Sequence, residues 1–352
     1  MTNNTELNEL QAEQKVTFKE RWAQIKEDYN NPAKKKVRRR KVGFAIGKFF
    51  RFIILLGLCF VILLPIFEKI SFAFRHPVDI ANPLVVWIPE NWSVVNIQIA
   101  YKLLDYSHSF WNTLLLSTLC MVIQIISCAV AGYSFGRLKF KGQNILFVIM
   151  IFTLVVPNDT LNISRMLLFT NTKFLGINLM GNVLSIYIMS IFCNGIRSAI
   201  FVFLFRQAFR GVPIELEESA QVDGAGVIRT FWSVMLPNVR GTIVTVGLFA
   251  FVWQWNDYYF AQLFNLSSAN FPVLSVKLTG GTEQLFNVIQ TWIMGDDPYF
   301  KTITMESIRN NNLFYGLISN TAALLMMLPL LIGYFFVQKQ FVESIERTGI
   351  VG

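Results

Sequence analysis

The chain has 352 residues, of which 53% are hydrophobic and only 15% are charged, with a formal net charge of +9. Because a soluble domain carries about a quarter charged residues, this composition excludes an ordinary soluble protein and indicates a membrane protein. About six segments are apolar over the roughly 20 residues that a helix needs to cross a bilayer. They cover residues 48–67, 110–133, 144–168, 182–205, 242–264 and 314–337. We therefore predict an all-α fold with about six transmembrane helices.

A basic extension, residues 1–45, precedes the first apolar segment and contains KKKVRRRK at 34–41. That segment is longer than the roughly 7 to 15 residues of a signal-peptide core, and no cleavage motif follows it, so we expect a retained span rather than a cleaved leader. The basic cluster accounts for most of the net charge and would be attracted to anionic membrane lipid. Nucleic-acid binding is not expected.

Basic residues also determine the expected orientation, because Lys and Arg concentrate in short cytoplasmic loops. The amino-terminal tail and the connection GRLKFKGQ at 136–143 are both basic. With an even number of spans, both termini are therefore expected in the cytoplasm of a multi-pass bacterial cell-membrane protein. The expected organisation is a transmembrane domain over 46–340, a cytoplasmic loop at 206–240, a long extracellular loop at 265–313 and a cytoplasmic tail over 341–352.

No arrangement of residues in the chain predicts catalysis or metal binding. The four cysteines show no CxxC spacing, and His76 and His108 are isolated in the first outer loop. A phosphate-binding loop of the form G-x-x-x-x-G-K-[ST] is absent, so any ATP must bind to another protein. A self-sufficient carrier or channel is an alternative, but we find no internal repeat and few ionisable residues within the spans. Those residues are Asp159, Arg165, Arg197 and Asp257.

The loop at 206–240 balances four arginines with four acidic residues, although its expected cytoplasmic position favours basic residues. Pro213 suits a first helical position and Gly224 suits the left-handed residue that ends a helix, which predicts a short helix over 213–223. An apolar face at helical spacing then runs from Val227 until Pro237 stops the second helix. Its acids are either solvated or paired with arginines of another protein.

The same loop resembles the "EAA" loop of bacterial ABC importer membrane subunits, whose pattern is E-A-A-x(3)-G-x(9)-I-x-L-P. The residues in register are Glu218, Ser219, Ala220, Gly224, Val234, Leu236 and Pro237. Two of them depart from the pattern conservatively, Ser219 for Ala and Val234 for Ile. The flanking stretches FLFRQAFRGVPIELEESAQVDGAG, AGYSFGRLKFKGQN and WQWNDYY are similar to those of carbohydrate importer permeases of the MalG type.

This resemblance implies a type I importer permease fold and a set of partners. Expected partners are a second homologous permease subunit, two ATP-binding subunits that hold ATP and magnesium, and an extracellular solute-binding protein that delivers sugar. No cofactor is then expected on this chain. The resemblance assigns contact with the ATPase to Glu217, Glu218, Ser219, Ala220, Asp223, Gly224, Ala225 and Pro237.

The sugar pathway is less specific in the sequence. Aromatic rings with amides and carboxylates suit a sugar, but aromatic residues near a membrane interface are usually anchors, and polar residues in spans also serve helix contacts. The candidate pathway residues are Asn158, Asp159, Trp253, Trp255, Asn256, Asp257 and Tyr258. The outer loop at 265–313 is expected to contact the binding protein, with an inert insertion as the alternative. Import of a non-carbohydrate solute by the same kind of permease is also an alternative.

Overall fold

The computed structural model describes residues 32–83, 85, 87–174, 176–266, 271–292, 304, 306 and 311–349, together with residues 22 and 26. The longer helices are α1 (Pro32–Phe74), α2 (Val95–Leu103), α3 (Tyr106–Gly136), α4 (Gln143–Phe152), α5 (Asn162–Asn171), α6 (Leu184–Ile191), α7 (Ser198–Gly211), α8 (Ile214–Val222), α9 (Val227–Asn238), α10 (Arg240–Trp255), α11 (Tyr259–Leu263), α12 (Leu274–Leu278), α13 (Thr282–Trp292) and α14 (Asn312–Gly349). Two 3-10 turns lie at Pro77–Ala81 and Asn158–Leu161, and strands β1 (Lys173–Phe174) and β2 (Ile177–Asn178) form an antiparallel hairpin. The predicted helical fold class is confirmed.

Three helices in the described part of the chain are long and apolar enough to cross a membrane. They are Gly43–Phe74 within α1, Tyr106–Gly136, which is α3, and Asn312–Lys339 within α14. Helices α9 and α10 would count as a fourth if taken together, although they are bent by 82° with respect to each other. The predicted first, second and sixth spans thus correspond to continuous helices, while the total of six remains a prediction.

The predicted third and fourth spans are not continuous helices. Instead of one helix over 144–168, α4 ends at Phe152 and α5 begins at Asn162, with Pro157 between them. Proline removes a backbone donor and disfavours a helical residue before it, which explains this break. Instead of one helix over 182–205, α6 and α7 are separated by a segment in which Cys193 and Arg197 adopt left-handed backbone conformations.

The fifth span is also divided, and the terminal spans are longer than predicted. Helix α10 ends at Trp255, and α11 resumes at Tyr259. Helix α1 begins at Pro32, so the predicted boundary at residue 45 falls inside a continuous helix. Helix α14 continues through the predicted tail boundary to Gly349. Hydropathy identifies the apolar part of a helix, but it does not show how far the helix extends beyond the bilayer.

Helix α3 packs against most of the elements that form the two candidate sites. Near its carboxyl end, Cys128, Ala129 and Tyr133 share a buried apolar cluster with residues of α7, α9 and α10. Near its middle, Leu116 and Cys120 pack with residues of α5, α6 and α11. Gly132 permits the close crossing of α3 and α7, because a Cβ there would lie 2.5 Å from the Cβ of Phe205.

Part of the predicted outer loop at 265–313 packs onto the rest of the helical domain. The amphipathic helix α13 buries Leu285 and Ile289 in an apolar cluster with residues of α2 and α14. Trp255, at the end of α10, is in the same cluster. The described part of this loop is therefore integrated into the fold, while residues 293–303 lie outside the described residues.

Candidate functional site

The segment at 206–240 forms two short helices with a bend, as predicted. Helix α8 ends in a Schellman arrangement: Ala225 N–H donates to the Ala220 carbonyl at 2.9 Å, and Gly224 N–H donates to the Gln221 carbonyl at 3.0 Å. Gly224 has a φ of 81°, a conformation that a residue with a Cβ rarely adopts. The predicted left-handed conformation of Gly224 at the end of the helix is confirmed. Pro213, which was predicted to be the first helical residue, instead precedes α8.

The second helix passes beyond Pro237, so the prediction that this proline stops it was wrong. A π-helical turn occupies Phe231–Met235, and Leu236 N–H donates to the Phe231 carbonyl. The wider turn shifts the hydrogen-bonding pattern just before the residue that cannot donate. The helix therefore continues to Asn238 before the sharp bend into α10.

Glu217 connects α8 to helix α3. The Tyr133 hydroxyl donates to Glu217 Oε1 at 2.9 Å, and the Arg137 guanidinium lies 3.7 Å from Glu217 Oε2. Arg137 also donates to the backbone carbonyls of Phe209 and Val212, which lie just before α8. The Tyr133 ring contacts Phe231 at a centroid distance of 5.3 Å. This set of contacts, which we term the α3 anchor, joins α3 to α7, α8 and α9.

The predicted ATPase contacts are distributed over two faces of the loop. Glu217, with a side chain only 12% exposed, and Ala220, 8% exposed, face the chain's own helices. Their positions do not support direct contact with another subunit. Ala225 and Pro237 are half-buried. The exposed members of the predicted set are Glu218, Ser219, Asp223 and Gly224.

Large apolar side chains surround these exposed residues. Val222 is 87% exposed and Ile228 is 77% exposed, and both lie beside the Gly224 bend. The other exposed apolar residues of α8 and α9 are Ile214, Leu216, Val227 and Trp232. An apolar surface with a few charged groups is typical of a protein-binding patch. We call this surface the coupling face.

A second candidate site is a cavity of about 660 Å³ where the broken third, fourth and fifth predicted spans meet. Its size is within the range of roughly 300–1,000 Å³ for small-molecule sites. Irregular backbone at membrane depth is tolerated where it lines a water-filled cavity. The lining includes Thr153–Pro157 and Leu161 before α5, Arg165 in α5, Cys193–Ala199 before and at the start of α7, and Trp253 with Asn256–Phe260 around the end of α10.

Four of the predicted pathway residues line this cavity, namely Trp253, Asn256, Asp257 and Tyr258. Trp255 does not, because its ring is in the core and its Nε1 donates to the Met326 carbonyl at 3.2 Å. Asp159 is exposed and lies 3.5 Å from the Asn162 amide, outside the lining, and the backbone of Asn158 starts a 3-10 turn. Within the sequence WQWND, Trp253, Asn256 and Asp257 therefore line the cavity, whereas Trp255 packs in the core.

Two arginines in the lining were noted in the sequence only as ionisable residues within the predicted spans. The Arg197 guanidinium lies 5.4 Å from the centre of the Trp253 ring, and that of Arg165 lies 5.2 Å from the centre of the Phe260 ring. Asp257 is buried, and its Oδ1 accepts from Phe260 N–H at 3.2 Å, which caps α11. Positive charge within an apolar segment is a signal for a functional site.

Comparisons with known proteins identify the family of this chain. Residues 128–347 match the family described as binding-protein-dependent transport system inner membrane component. The chain is 27% identical over 176 residues to a probable starch degradation products transport system permease protein, AmyC, of Thermoanaerobacterium thermosulfurigenes, a match that covers 50% of this chain and 61% of AmyC. It is also 27% identical over 306 residues to the maltodextrin transport system permease protein MalD of Streptococcus pneumoniae, covering 86% of this chain and 94% of MalD.

The fold matches a solved structure as well. A chain of a bacterial ABC transporter involved in the import of the acidic polysaccharide alginate superposes with a TM-score of 0.61 at 18% identity. The match covers 84% of this chain and 97% of that chain. Together with the apolar helices and the coupling-loop pattern, these matches show that this chain belongs to the family of inner membrane components of binding-protein-dependent transport systems and is a multi-pass cell-membrane protein.

Proposed function

We propose that this chain is a permease subunit of an ATP-driven importer that carries an oligosaccharide across the cell membrane. The similarity to relatives named for starch degradation products and maltodextrin supports a carbohydrate substrate. In this proposal an extracellular binding protein delivers the sugar, and a second homologous permease subunit completes the pathway. Two ATPase subunits bind ATP and magnesium and supply the energy, because this chain has no phosphate-binding loop.

The observation that carries the proposal is the division of α8 into two faces. Glu217 and Ala220 attach the helix to the permease, while Glu218, Ser219 and Asp223 remain exposed beside Val222 and other apolar side chains. An exposed carboxylate can form charge-assisted hydrogen bonds with an arginine of a docked subunit. Such a docked helix would transmit motion, because its inner face is held by α3.

The α3 anchor gives this transmission a physical route. When the ATPase subunits close on ATP, the docked coupling face is displaced with them. Tyr133 and Arg137 bind α8 through Glu217, so α3 and α7 move with the loop rather than independently of it. Hydrolysis then reverses the displacement. The spans that border the cavity would thereby change its access between the two sides of the membrane.

Two substitutions in the coupling face test the proposal. Glu218→Lys reverses the exposed charge, and Gly224→Pro cannot adopt the positive φ of the bend. Both should reduce co-purification of the ATPase subunits and abolish ATP-dependent uptake of maltotriose in cells that express the whole transporter. Lys141→Glu, a charge reversal at an exposed site between α3 and α4, is the matched control and should retain both properties. Uptake that persists in Glu218→Lys or Gly224→Pro without bound ATPase would contradict the proposal.

A further inference from the structure

A buried amide on α3 lies directly behind one wall of the cavity. The side chain of Gln124 is only 1% exposed, and among the described residues neither its Nε2 nor its Oε1 has a hydrogen-bond partner. The amide lies against Gly195, because a Cβ built on that glycine would be 2.5 Å from Gln124 Nε2. Gly195 itself lines the cavity. Most buried polar side chains are paired, so an unpaired amide at this position requires a physical explanation.

Neighbouring side chains of α3 bind the same part of the wall. The Ser127 hydroxyl donates to the Ser190 carbonyl at 2.9 Å, and the Cys128 thiol donates to the Ser198 carbonyl at 3.7 Å. These bonds attach α3 to the last turn of α6 and to the first residue of α7. Between those two points lie residues 192–197, which we call the α6–α7 turn. The turn is thus held at both ends, and the unpaired amide faces its middle.

The backbone of the α6–α7 turn is strained. Cys193 has a φ of 55° and Arg197 has a φ of 52°, left-handed conformations that residues with a Cβ rarely adopt. Such residues cost free energy, and they cluster at sites where a protein switches between conformations. Residues 193–199 all line the cavity. A change in the conformation of this turn would therefore change the shape of the cavity.

We infer that Gln124 is a positioning residue, whose amide forms hydrogen bonds with the backbone of the α6–α7 turn in a second conformation of the transporter. An amide supplies both a donor and an acceptor, so it can pair with an N–H or a carbonyl of the turn. The unpaired amide and the two left-handed residues both raise the free energy of the conformation described here. A shift of the turn relieves both, which brings the two conformations close in free energy. The inference rests on the proposed function, in which ATP-driven motion of α3 and α7 supplies the shift.

Gln124→Met in the complete transporter separates this role from a structural one. Methionine is flexible and similar in length, but it has no amide. The variant should unfold at the same temperature as the unmodified transporter or up to about 4 °C higher, because two unpaired polar atoms are removed from the interior. ATP-dependent uptake of maltotriose should nevertheless fall at least about fivefold, because the second conformation loses its hydrogen bonds. A residue that only supports the fold would lose stability and uptake together.

A spin label on the turn reports its conformation directly. The four native cysteines are replaced by serine, and Asn194→Cys places the label at an exposed position in the cavity lining. The spectrum should differ between the nucleotide-free transporter and the transporter trapped with ATP and vanadate, and Gln124→Met should abolish this difference. Ser117→Ala is the matched control, since Ser117 is also buried in α3 with an oxygen that is unpaired among the described residues. It should retain both uptake and the spectral difference.

Three results would each overturn the inference. They are a lower unfolding temperature in Gln124→Met, unchanged uptake in that variant, and a label spectrum that responds to ATP and vanadate in the same way with Gln124 and with methionine. Uptake by the unmodified transporter tests the proposed function separately. If that transporter imports oligosaccharides but any of the three results is found, the proposed function stands and the role of Gln124 is excluded. If it imports no oligosaccharide, the proposed function itself fails.

Discussion

Two adjacent glutamates in α8 have different environments and are expected to have different roles. The side chain of Glu217 is nearly buried and receives the Tyr133 hydroxyl and the Arg137 guanidinium, whereas Glu218 is exposed on the coupling face. Removal of a buried carboxylate leaves its hydrogen-bond donors without an acceptor, which destabilises the fold. Removal of an exposed carboxylate has little effect on folding. Substitution of Glu217 should therefore lower the stability of the protein, whereas substitution of Glu218 should weaken its association with the ATPase subunit.

Glu217→Ala should lower the free energy of unfolding by about 1–3 kcal/mol, because Tyr133 and Arg137 lose a shared acceptor. Glu218→Ala should change it by no more than about 0.5 kcal/mol but should weaken co-purification with the ATPase subunits. Thermal unfolding in detergent and affinity co-purification measure the two properties. An unchanged stability in Glu217→Ala would show that the α3 anchor has no structural role. A loss as large in Glu218→Ala would contradict the expected difference between the two positions.

A carboxylate between α1 and α2 makes one part of the stability dependent on pH. Burial alone would raise the pKa of Asp79, but hydrogen bonds from the Asn91 backbone N–H at 2.8 Å and the Asn91 amide at 2.6 Å outweigh it and lower the pKa. A group with a lowered folded-state pKa stabilises the protein above its unfolded-state pKa, and this contribution is lost as pH falls through the folded-state value.

Asn91→Ala removes one of these hydrogen bonds. The variant should unfold at a lower temperature than the unmodified chain at pH 7, and the difference should shrink as the pH is lowered through the acidic range in which Asp79 becomes protonated. Thermal unfolding in detergent across that range is the measurement. A difference that stays constant with pH would mean that Asn91 acts through packing rather than through the charge of Asp79.

At the scale of elements, the close crossing of α3 and α7 is what makes the coupling loop and the cavity parts of one structure. Helix α7 has its amino end at the cavity and its carboxyl end beside the α3 anchor. At the crossing, a Cβ on Gly132 would lie 2.5 Å from the Cβ of Phe205 and 2.9 Å from the backbone nitrogen of Arg206. No side chain can be added there unless the two helices separate.

Gly132→Ala should therefore destabilise the protein by about 1–3 kcal/mol through overpacking. Gly57→Ala, within α1, is the control, since a Cβ at Gly57 would meet nothing within 4 Å and alanine favours a helix over glycine. Thermal unfolding and maltotriose uptake should both decline in the first variant and be retained in the second. Equal stability and equal uptake in the two variants would show that α3 and α7 can move apart enough to accept a methyl group.

The elements also show which structure can be inferred from sequence alone. Helix α8 and its bend follow from local chemistry, since Pro213, the early acids and Gly224 each act within one or two turns. The break in the third predicted span also has a local cause, Pro157. The break in the fourth predicted span does not, because its residues are apolar enough to span a membrane and no proline interrupts them. The different exposure of Glu217 and Glu218 likewise depends on which face of α8 packs against α3.

At the scale of the whole molecule, the candidate cavity and the exposed coupling face lie in different regions of the membrane domain. Helix α3 contributes to the packing around both regions. Leu116 and Cys120 pack near the cavity, and Tyr133 and Arg137 contact the helix that carries the coupling face. In the proposed mechanism, motion of the coupling face would reach the cavity through packed helices rather than through a flexible linker. Family membership supports this division of labour between permease and ATPase.

The central claim is that the exposed face of α8 docks against an ATPase subunit, and site-specific crosslinking in native membranes tests it most directly. The four native cysteines are replaced by serine, and a single cysteine is introduced by Ser219→Cys or by Ala220→Cys, followed by a cysteine-to-amine crosslinker. Ser219 is exposed and Ala220 is 8% exposed. We expect a crosslink to the ATPase subunit from position 219 and none from position 220. No crosslink from 219, or equal crosslinking from both positions, would contradict it.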